Sequence, residues 1–219
     1  NFGGTSNPSL FIGNNSPGSS PNHATLNDAQ NNLAILKDAL SSITTGDQNI
    51  AIGKEALTST TSGTDNISLG YQSGFGNETG NDNIFIGSSS AYANNGNYNI
   101  LIGSGTGDTM ESSSNNVVIG CTSDVSSSSA DNQIVIGYST TGIGNNSVTL
   151  GNSSVTDVYC SQDSGANLYC GNIRVKNSTT SSATEGGSIR LFCDDGAVMG
   201  NGHRLGVIEF AGAEDTSNT

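Results

Sequence analysis

The sequence predicts an all-β fold, a repeat β-solenoid of short stacked coils with a short helix before it and a second β region after it. Three observations lead there. A five-residue phrase, Asn-Ile-x-Ile-Gly, returns at a nearly fixed interval; the composition is too lean for an ordinary compact domain; and the apolar rhythm changes on both sides of the repeats.

The phrase reads Asn49-Ile50-Ala51-Ile52-Gly53, Asn66-Ile67-Ser68-Leu69-Gly70, Asn83-Ile84-Phe85-Ile86-Gly87 and Asn99-Ile100-Leu101-Ile102-Gly103. It continues as Asn116-Val117-Val118-Ile119-Gly120 and Gln133-Ile134-Val135-Ile136-Gly137, and decays at Val148-Thr149-Leu150-Gly151. The closing glycines at 53, 70, 87, 103, 120, 137 and 151 are separated by 17, 17, 16, 17, 17 and 14 residues. Gly46, Gly63, Gly80 and Gly96 keep the same beat. A unit this short cannot bury its own apolar residues and has to lean on its neighbours, which is the condition for a stack of coils.

The 219 residues include 30 glycines and no tryptophan, with 32% hydrophobic and 11% charged residues. A compact enzyme of this length would carry a larger apolar share and about twice the charge. Disordered chains are usually highly charged and lack a regular apolar rhythm, so a thin, elongated β structure fits better. Six Lys and Arg against nineteen Asp and Glu give a formal net charge of −13. Phosphate binding needs clustered basic residues, so no nucleic-acid partner is expected. An acidic surface suits an exposed filament, since it keeps copies apart. No apolar run approaches the roughly 20 residues that span a bilayer, so no membrane insertion is expected. A start at Asn1 rather than Met leads us to expect a processed or partial product.

Residues 1–24 are Gly, Ser, Asn and Pro rich; within this linker-like segment Ser9-Leu10-Phe11-Ile12-Gly13 echoes the repeat as one outlying strand. From Thr25 the period changes. Thr25 and Asp28 resemble a helix start, and Leu26, Ala29, Leu33, Leu36, Leu40 and Ile43 recur at steps of 3 and 4 up to Gly46. Residues 25–45 are therefore expected to form a coiled-coil helix, in a bundle of three identical chains, with Leu26, Leu33, Leu36, Leu40 and Ile43 on the seam.

Residues 46–151 are the repeats. Side chains alternate along a strand, so the two apolar residues flanking x share a face. That pair is expected to line the inside of the coil, leaving x outside, where it drifts from Ala51 and Ser68 to Phe85, Leu101, Val118 and Val135. An exposed apolar column has to be covered, and identical chains packed about a threefold axis would cover it, with Phe85, Leu101, Val118 and Val135 as trimer contacts. The asparagines are expected to hydrogen-bond up their column, as ladders do in stacked sheets. Residues 152–219 are expected to hold a second, non-repeating β region, with strands over 155–159, 166–170, 173–175, 188–192 and 204–210.

These repeats resemble the head regions of trimeric autotransporter adhesins. They are still more similar to bacteriophage tail-fibre and receptor-binding proteins, as in Thr45-Gly46-Asp47-Gln48-Asn49-Ile50-Ala51-Ile52-Gly53-Lys54-Glu55-Ala56-Leu57. Val148-Thr149-Leu150-Gly151-Asn152-Ser153-Ser154-Val155-Thr156-Asp157-Val158-Tyr159 is similar to the segment where such fibres leave their repeats. Asn201-Gly202-His203-Arg204-Leu205-Gly206-Val207-Ile208-Glu209-Phe210-Ala211-Gly212 resembles fibre sequence upstream of a C-terminal intramolecular chaperone. The resemblance runs over roughly residues 45–212 and is specific for architecture more than for function. It implies a left-handed parallel β-roll in a homotrimer, in a virion tail fibre or at a cell surface. The implied partners are further copies of itself, other fibre or baseplate proteins, and a host surface receptor, a glycan among the candidates. The units here, at 16 to 17 residues, are longer than is common in the adhesins.

Chemistry is sparse. Gly103-Ser104-Gly105-Thr106-Gly107-Asp108 lacks the Lys of a phosphate loop and the repeated Asp of a calcium roll, and is expected to join two coils. His23 and His203 are far apart, and Cys121, Cys160, Cys170 and Cys193 form no C-x-x-C pair, so no metal or cofactor is expected. The cysteines are expected to be isolated buried thiols, with a Cys160–Cys170 bridge left open. Asp194, Asp195, Glu209, Glu214 and Asp215 form the one acid cluster that glycoside hydrolysis would need, and a solvated acidic turn explains it better. The expected function is a non-enzymatic structural fibre protein of a phage or phage-like particle that mediates host attachment. The alternatives are a bacterial surface adhesin or self-assembling extracellular filament subunit, and a polysaccharide-degrading spike.

Overall fold

The structure is a computed structural model and describes residues 9–12 and 29–159. Among the described residues nine short strands form one parallel sheet in strict chain order. They are β1 (Leu10–Ile12), β2 (Leu33–Ile35), β3 (Ile50–Ile52), β4 (Ile67–Leu69), β5 (Ile84–Ile86), β6 (Ile100–Ile102), β7 (Val117–Ile119), β8 (Gln133–Ile136) and β9 (Ser147–Leu150). Each pairs with the next, Ile50 on Ile67 and Ile67 on Ile84, so one repeat of sequence is one coil of a parallel β-solenoid. Where the repeat shortens, the register follows: Ile84 pairs with Ile100 and Ile134 with Val148. Among the described residues there is no helix.

The coil turns at fixed places. Glu55, Leu57 and Asp65 have φ of +61°, +49° and +57°. Gln72, Gly74 and Asp82 repeat this one coil later, then Ser89, Ala91 and Tyr98. Left-handed residues are uncommon, and a triplet recurring in five successive coils means that the corners themselves are part of the repeat. The closing glycine makes a fourth special position. Gly87 has φ of +133°, and a Cβ there would overlap the carbonyl oxygen of Gly103 in the next coil. Glycine is needed both for its conformation and for the close approach of two backbones.

Inside each coil the asparagines form a continuous ladder. Asn83 Nδ2 donates to Asn66 Oδ1 at 3.0 Å and to the Gly96 carbonyl at 2.9 Å, while Asn83 Oδ1 accepts from the Asn99 backbone N–H at 3.0 Å. The same bonds link Asn32, Asn49, Asn66, Asn83, Asn99 and Asn116, all buried. At the start, Ser9 Oγ accepts from the Asn32 N–H and stands in for the missing amide. At the far end the Gln133 N–H still donates to Asn116 Oδ1, but its longer side chain turns to Ser126 and the ladder stops. A buried amide left unpaired would cost about 1–3 kcal/mol, so the ladder is what permits polar residues in so narrow a core.

The structure reverses the expected facing of the strands. Ala34, Ala51, Ser68, Phe85, Leu101, Val118 and Val135, the x residues, are fully buried inside one chain, and the flanking pairs face outward. Phe85, Leu101, Val118 and Val135 are therefore core residues and not trimer contacts. With three-residue strands a coil offers one inward position per strand, and the ladder asparagine two residues earlier fixes which one it is. The drift at x is volume compensation across the coil. Small Ala34 and Ala51 share their coils with buried Leu40 and Leu57 on the opposite wall. Large Phe85 and Leu101 share theirs with Ala91 and Gly107. Ser68 and Gly74 are both small, and the ring of Phe85 takes the space between coils: a Cβ on Gly74 would lie 2.6 Å from the Phe85 Cδ2. Cores at close packing tolerate such exchanges when total volume is kept.

The coiled-coil helix expected over 25–45 is also corrected. Residues 29–45 make another coil, with β2 in it, and Asn32-Leu33-Ala34-Ile35-Leu36-Lys37-Asp38-Ala39-Leu40 matches Asn49 to Leu57 at an offset of 17. Leu40 and Ile43 are core residues, Leu33 is an outward strand residue, and Leu36 occupies the closing-glycine position at φ +86° and is exposed. Leu26 lies outside the described residues. The steps of 3 and 4 mix inward residues (Ala29, Leu40, Ile43) with outward ones (Leu33, Leu36) and share no common face in this coil. β1 is likewise a rung of the sheet, with Phe11 paired to Ala34 and packed against the core. Beyond β9, Val155 to Tyr159 form no strand and stand exposed, against expectation. Cys160, Cys170, Cys193, both histidines, the acid cluster and the later expected strands lie outside the described residues.

Candidate functional site

Two surfaces of the solenoid differ in chemistry. The first is the outer face of the strand wall. Every strand places two apolar side chains there, from Leu10 and Ile12 through Ile84 and Ile86 to Ile134 and Ile136, and finally Val148 and Leu150. In-register pairing stacks them in two parallel columns along all nine strands, without a polar residue in either. In the middle of the stack each is half-buried by its neighbours above and below. Ile134 and Ile136 are 38% and 39% exposed, and Leu150 is 49% exposed. A continuous aliphatic stripe of this length is the kind of surface that marks an interface.

The second surface is the wall after each closing glycine. Its backbone is held by a ladder of its own: Leu57 N–H to the Ser73 carbonyl at 3.0 Å, Gly74 to Ser90 at 2.8 Å, Ala91 to Thr106 at 2.8 Å. Its outward side chains are aromatic and polar. The Phe75 and Tyr92 rings stack with centroids 5.0 Å apart and planes 6° from parallel. Lys54 Nζ lies 5.4 Å above the Tyr71 ring and 3.0 Å from Glu55 Oε1, and Gln72 Nε2 donates to Glu55 Oε2 at 2.7 Å. The Glu55 hydrogen bond and charge raise the Lys54 pKa, and the hydrogen bonds from Lys54 and Gln72 lower that of Glu55. Both groups sit at the surface, so the pair adds little to stability. The turn at Gly103–Asp108 joins β6 to this wall, with Asp108 exposed and Gly105 and Gly107 in left-handed conformation.

Catalytic furniture is thin. Among the described residues no three His, Cys, Asp or Glu side chains converge on a point that would hold a metal. Cys121 is an exposed free thiol, not the buried one expected. Among the described residues Asn94 is the one interior amide left short. Asn77 reaches the Gly80 carbonyl three residues on, at 3.3 Å, but the 16-residue coil brings Gly96 only two residues after Asn94, and Asn94 Nδ2 loses its acceptor. Sequence reasoning located the repeat residues and missed the orientation of both apolar columns and the aromatic wall. The signal for the first was present in the Asn ladder, whose inward position sets the parity of each strand. No family model, curated protein or solved structure matches the chain.

Proposed function

We propose that this chain is a non-enzymatic structural segment of a homotrimeric fibre, carried by a phage or phage-like particle and serving attachment to a host surface. One observation carries the assembly half of the reading: the double aliphatic column on the outer face of a solenoid whose core is already complete. Apolar area that the fold itself does not consume is covered most simply by the same area on identical chains, and closed symmetry lets each copy cover the next. Obligate interfaces of this kind are large and more hydrophobic than the remaining surface. The resemblance of the repeats to tail-fibre sequence supports the attachment half, together with their winding into a parallel β-solenoid. The outward pairs, such as Ile84 with Ile86 and Ile100 with Ile102, take the interface role expected of the x residues.

Mass measurement of the intact chain by native mass spectrometry and sedimentation tests the reading. Three copies per particle are expected at micromolar concentration. A stable monomer at that concentration would overturn it, and a ladder of ever longer head-to-tail species would favour a self-assembling filament.

A further inference from the structure

We propose that the corner over residues 93–96 is a built-in joint at which the solenoid opens, dividing the stack into the coils before Gly87 and those from Gly103 on. The joint lies within one chain and does not depend on the assembly reading. Three observations carry it. The coil from Gly87 to Gly103 is one residue short, and the missing residue is at this corner: Asn94-Asn95-Gly96 stands where the two coils before it read Thr60-Thr61-Ser62-Gly63 and Asn77-Glu78-Thr79-Gly80. The shortening breaks a reciprocal pair of bonds. Asn77 Nδ2 donates to the Gly80 carbonyl at 3.3 Å, and Asn77 Oδ1 accepts from the Gly80 N–H at 3.0 Å. Asn94 keeps only the second, from the Gly96 N–H at 3.1 Å, and its buried Nδ2 has no acceptor. The backbone ties of the corner are interrupted on both sides. Thr61 N–H bonds the Glu78 carbonyl at 2.9 Å and Asn95 N–H the Glu111 carbonyl at 2.8 Å, but between these Glu78 N–H reaches the side-chain Oδ1 of exposed Asn95, at 2.6 Å. Ser59 N–H bonds the Phe75 carbonyl at 3.1 Å and Gly76 N–H that of Tyr92 at 2.7 Å, and the series stops there, with no bond from Ala93 to Asp108.

The strand wall does not share the defect. β5, β6 and β7 pair in register across the short coil, and Asn99 Nδ2 donates to Asn83 Oδ1 at 3.0 Å as its counterparts do elsewhere. The coil is therefore held firmly along the strands and the amide ladder, and loosely at the corner. In a stack where each coil touches only its neighbours, opening starts at the weakest contact, and the coils on either side respond as separate units. A buried amide without a partner regains its hydrogen bonds from water once the corner opens, which biases this place toward the open form by on the order of tenfold.

Native-state hydrogen exchange on the full chain tests the joint through three amides in matching positions. Thr61, Asn95 and Glu111 each donate to a carbonyl one coil on, at 2.9, 2.8 and 3.0 Å. After correction for intrinsic rates, Asn95 is expected to exchange about tenfold or more faster than the other two. Insertion of Thr between Asn95 and Gly96 restores the 17-residue coil and the acceptor that Asn94 lacks, and should slow Asn95 to the rate of Thr61. Deletion of Thr79 builds the same short corner one coil earlier and should speed exchange at Thr61 by a similar factor. Asn95 as well protected as Thr61 and Glu111 in the parent overturns the proposal, and so does an insertion variant that melts like the parent with Asn95 exchange unmoved. If the insertion fails to fold, the deletion decides: unchanged exchange at Thr61 in a folded chain lacking Thr79 overturns the joint as well.

Discussion

Val135 and Ile136 are neighbours in β8 and meet opposite fates: the first is fully buried in its own coil, the second 39% exposed on the stripe. The same division runs through every coil. The inner column is mixed in size, from Ala51 and Ser68 to Phe85, because each residue answers to the volume left by the opposite wall. The outer columns are uniformly Ile, Leu and Val, because they answer to a flat repeated surface and not to a cavity. Uniformity, then, marks the face that meets something periodic, and variation marks the face that fills a private core.

Phe85→Ala breaks the inner side of this comparison hardest. Its ring fills the gap at Gly74 between two coils, where it meets Leu57 from the coil before. A loss of about 3–5 kcal/mol is expected, as for buried aromatic truncations generally. Chemical denaturation should show it as a lowered midpoint, and a midpoint within error of the parent would mean that the core is not packed as described.

Asn83→Ala comes next. It strands the Gly96 carbonyl and the Asn99 N–H inside the coil, where water does not reach them. At about 1–3 kcal/mol for each unpaired group, and with some local relaxation, the expected cost is about 2–3 kcal/mol. Amide hydrogen exchange should rise first at Asn99 and spread to the coils on either side. Protection unchanged at Asn99 would argue against a continuous ladder.

The period, the closing glycines and the polar column were legible in the sequence because each rests on one residue type at one spacing. Which apolar column lies inside was not legible from hydrophobicity, since both faces of Asn83-Ile84-Phe85-Ile86-Gly87 are apolar. Parity with the inward asparagine decides it. The first full coil escaped notice because Leu36 replaces the glycine that marks every later one, and because its leucines fall at heptad steps. The aromatic wall was illegible for another reason: Phe75 and Tyr92 become neighbours only once the 17-residue period is wound up.

Leu36 offers a smaller and opposite effect. It sits at φ +86° where the coils from Gly53 to Gly137 hold glycine at +133° to +149°, so a branched residue is kept in a region that favours glycine. Its side chain is half exposed and contributes little burial in return. Leu36→Gly is expected to raise stability by about 1 kcal/mol, the usual scale of relieved backbone strain less the entropy glycine loses on folding. A fall in the denaturation midpoint would show that the Leu36 side chain is needed by the first coil.

The smallest effect on the chain itself is expected from Ile136→Asp. The residue points away from the core, its backbone pairing through Leu150 is unaffected by the side chain, and a carboxylate there remains in water. Surface changes of this kind usually stay within about 0.5 kcal/mol, so the fold should melt as before at low concentration. The proposed trimer should not survive: three carboxylates brought together on an apolar stripe would each lose hydration with no cation beside them. Sedimentation should therefore report a folded monomer where the proposed fibre requires the parent to be a trimer. The adjacent Val135→Asp should do the reverse of a surface change, placing the charge inside the coil and unfolding it. A matched pair of outcomes, one variant folded and dissociated, the other unfolded, would locate the boundary between core and interface within a single peptide bond.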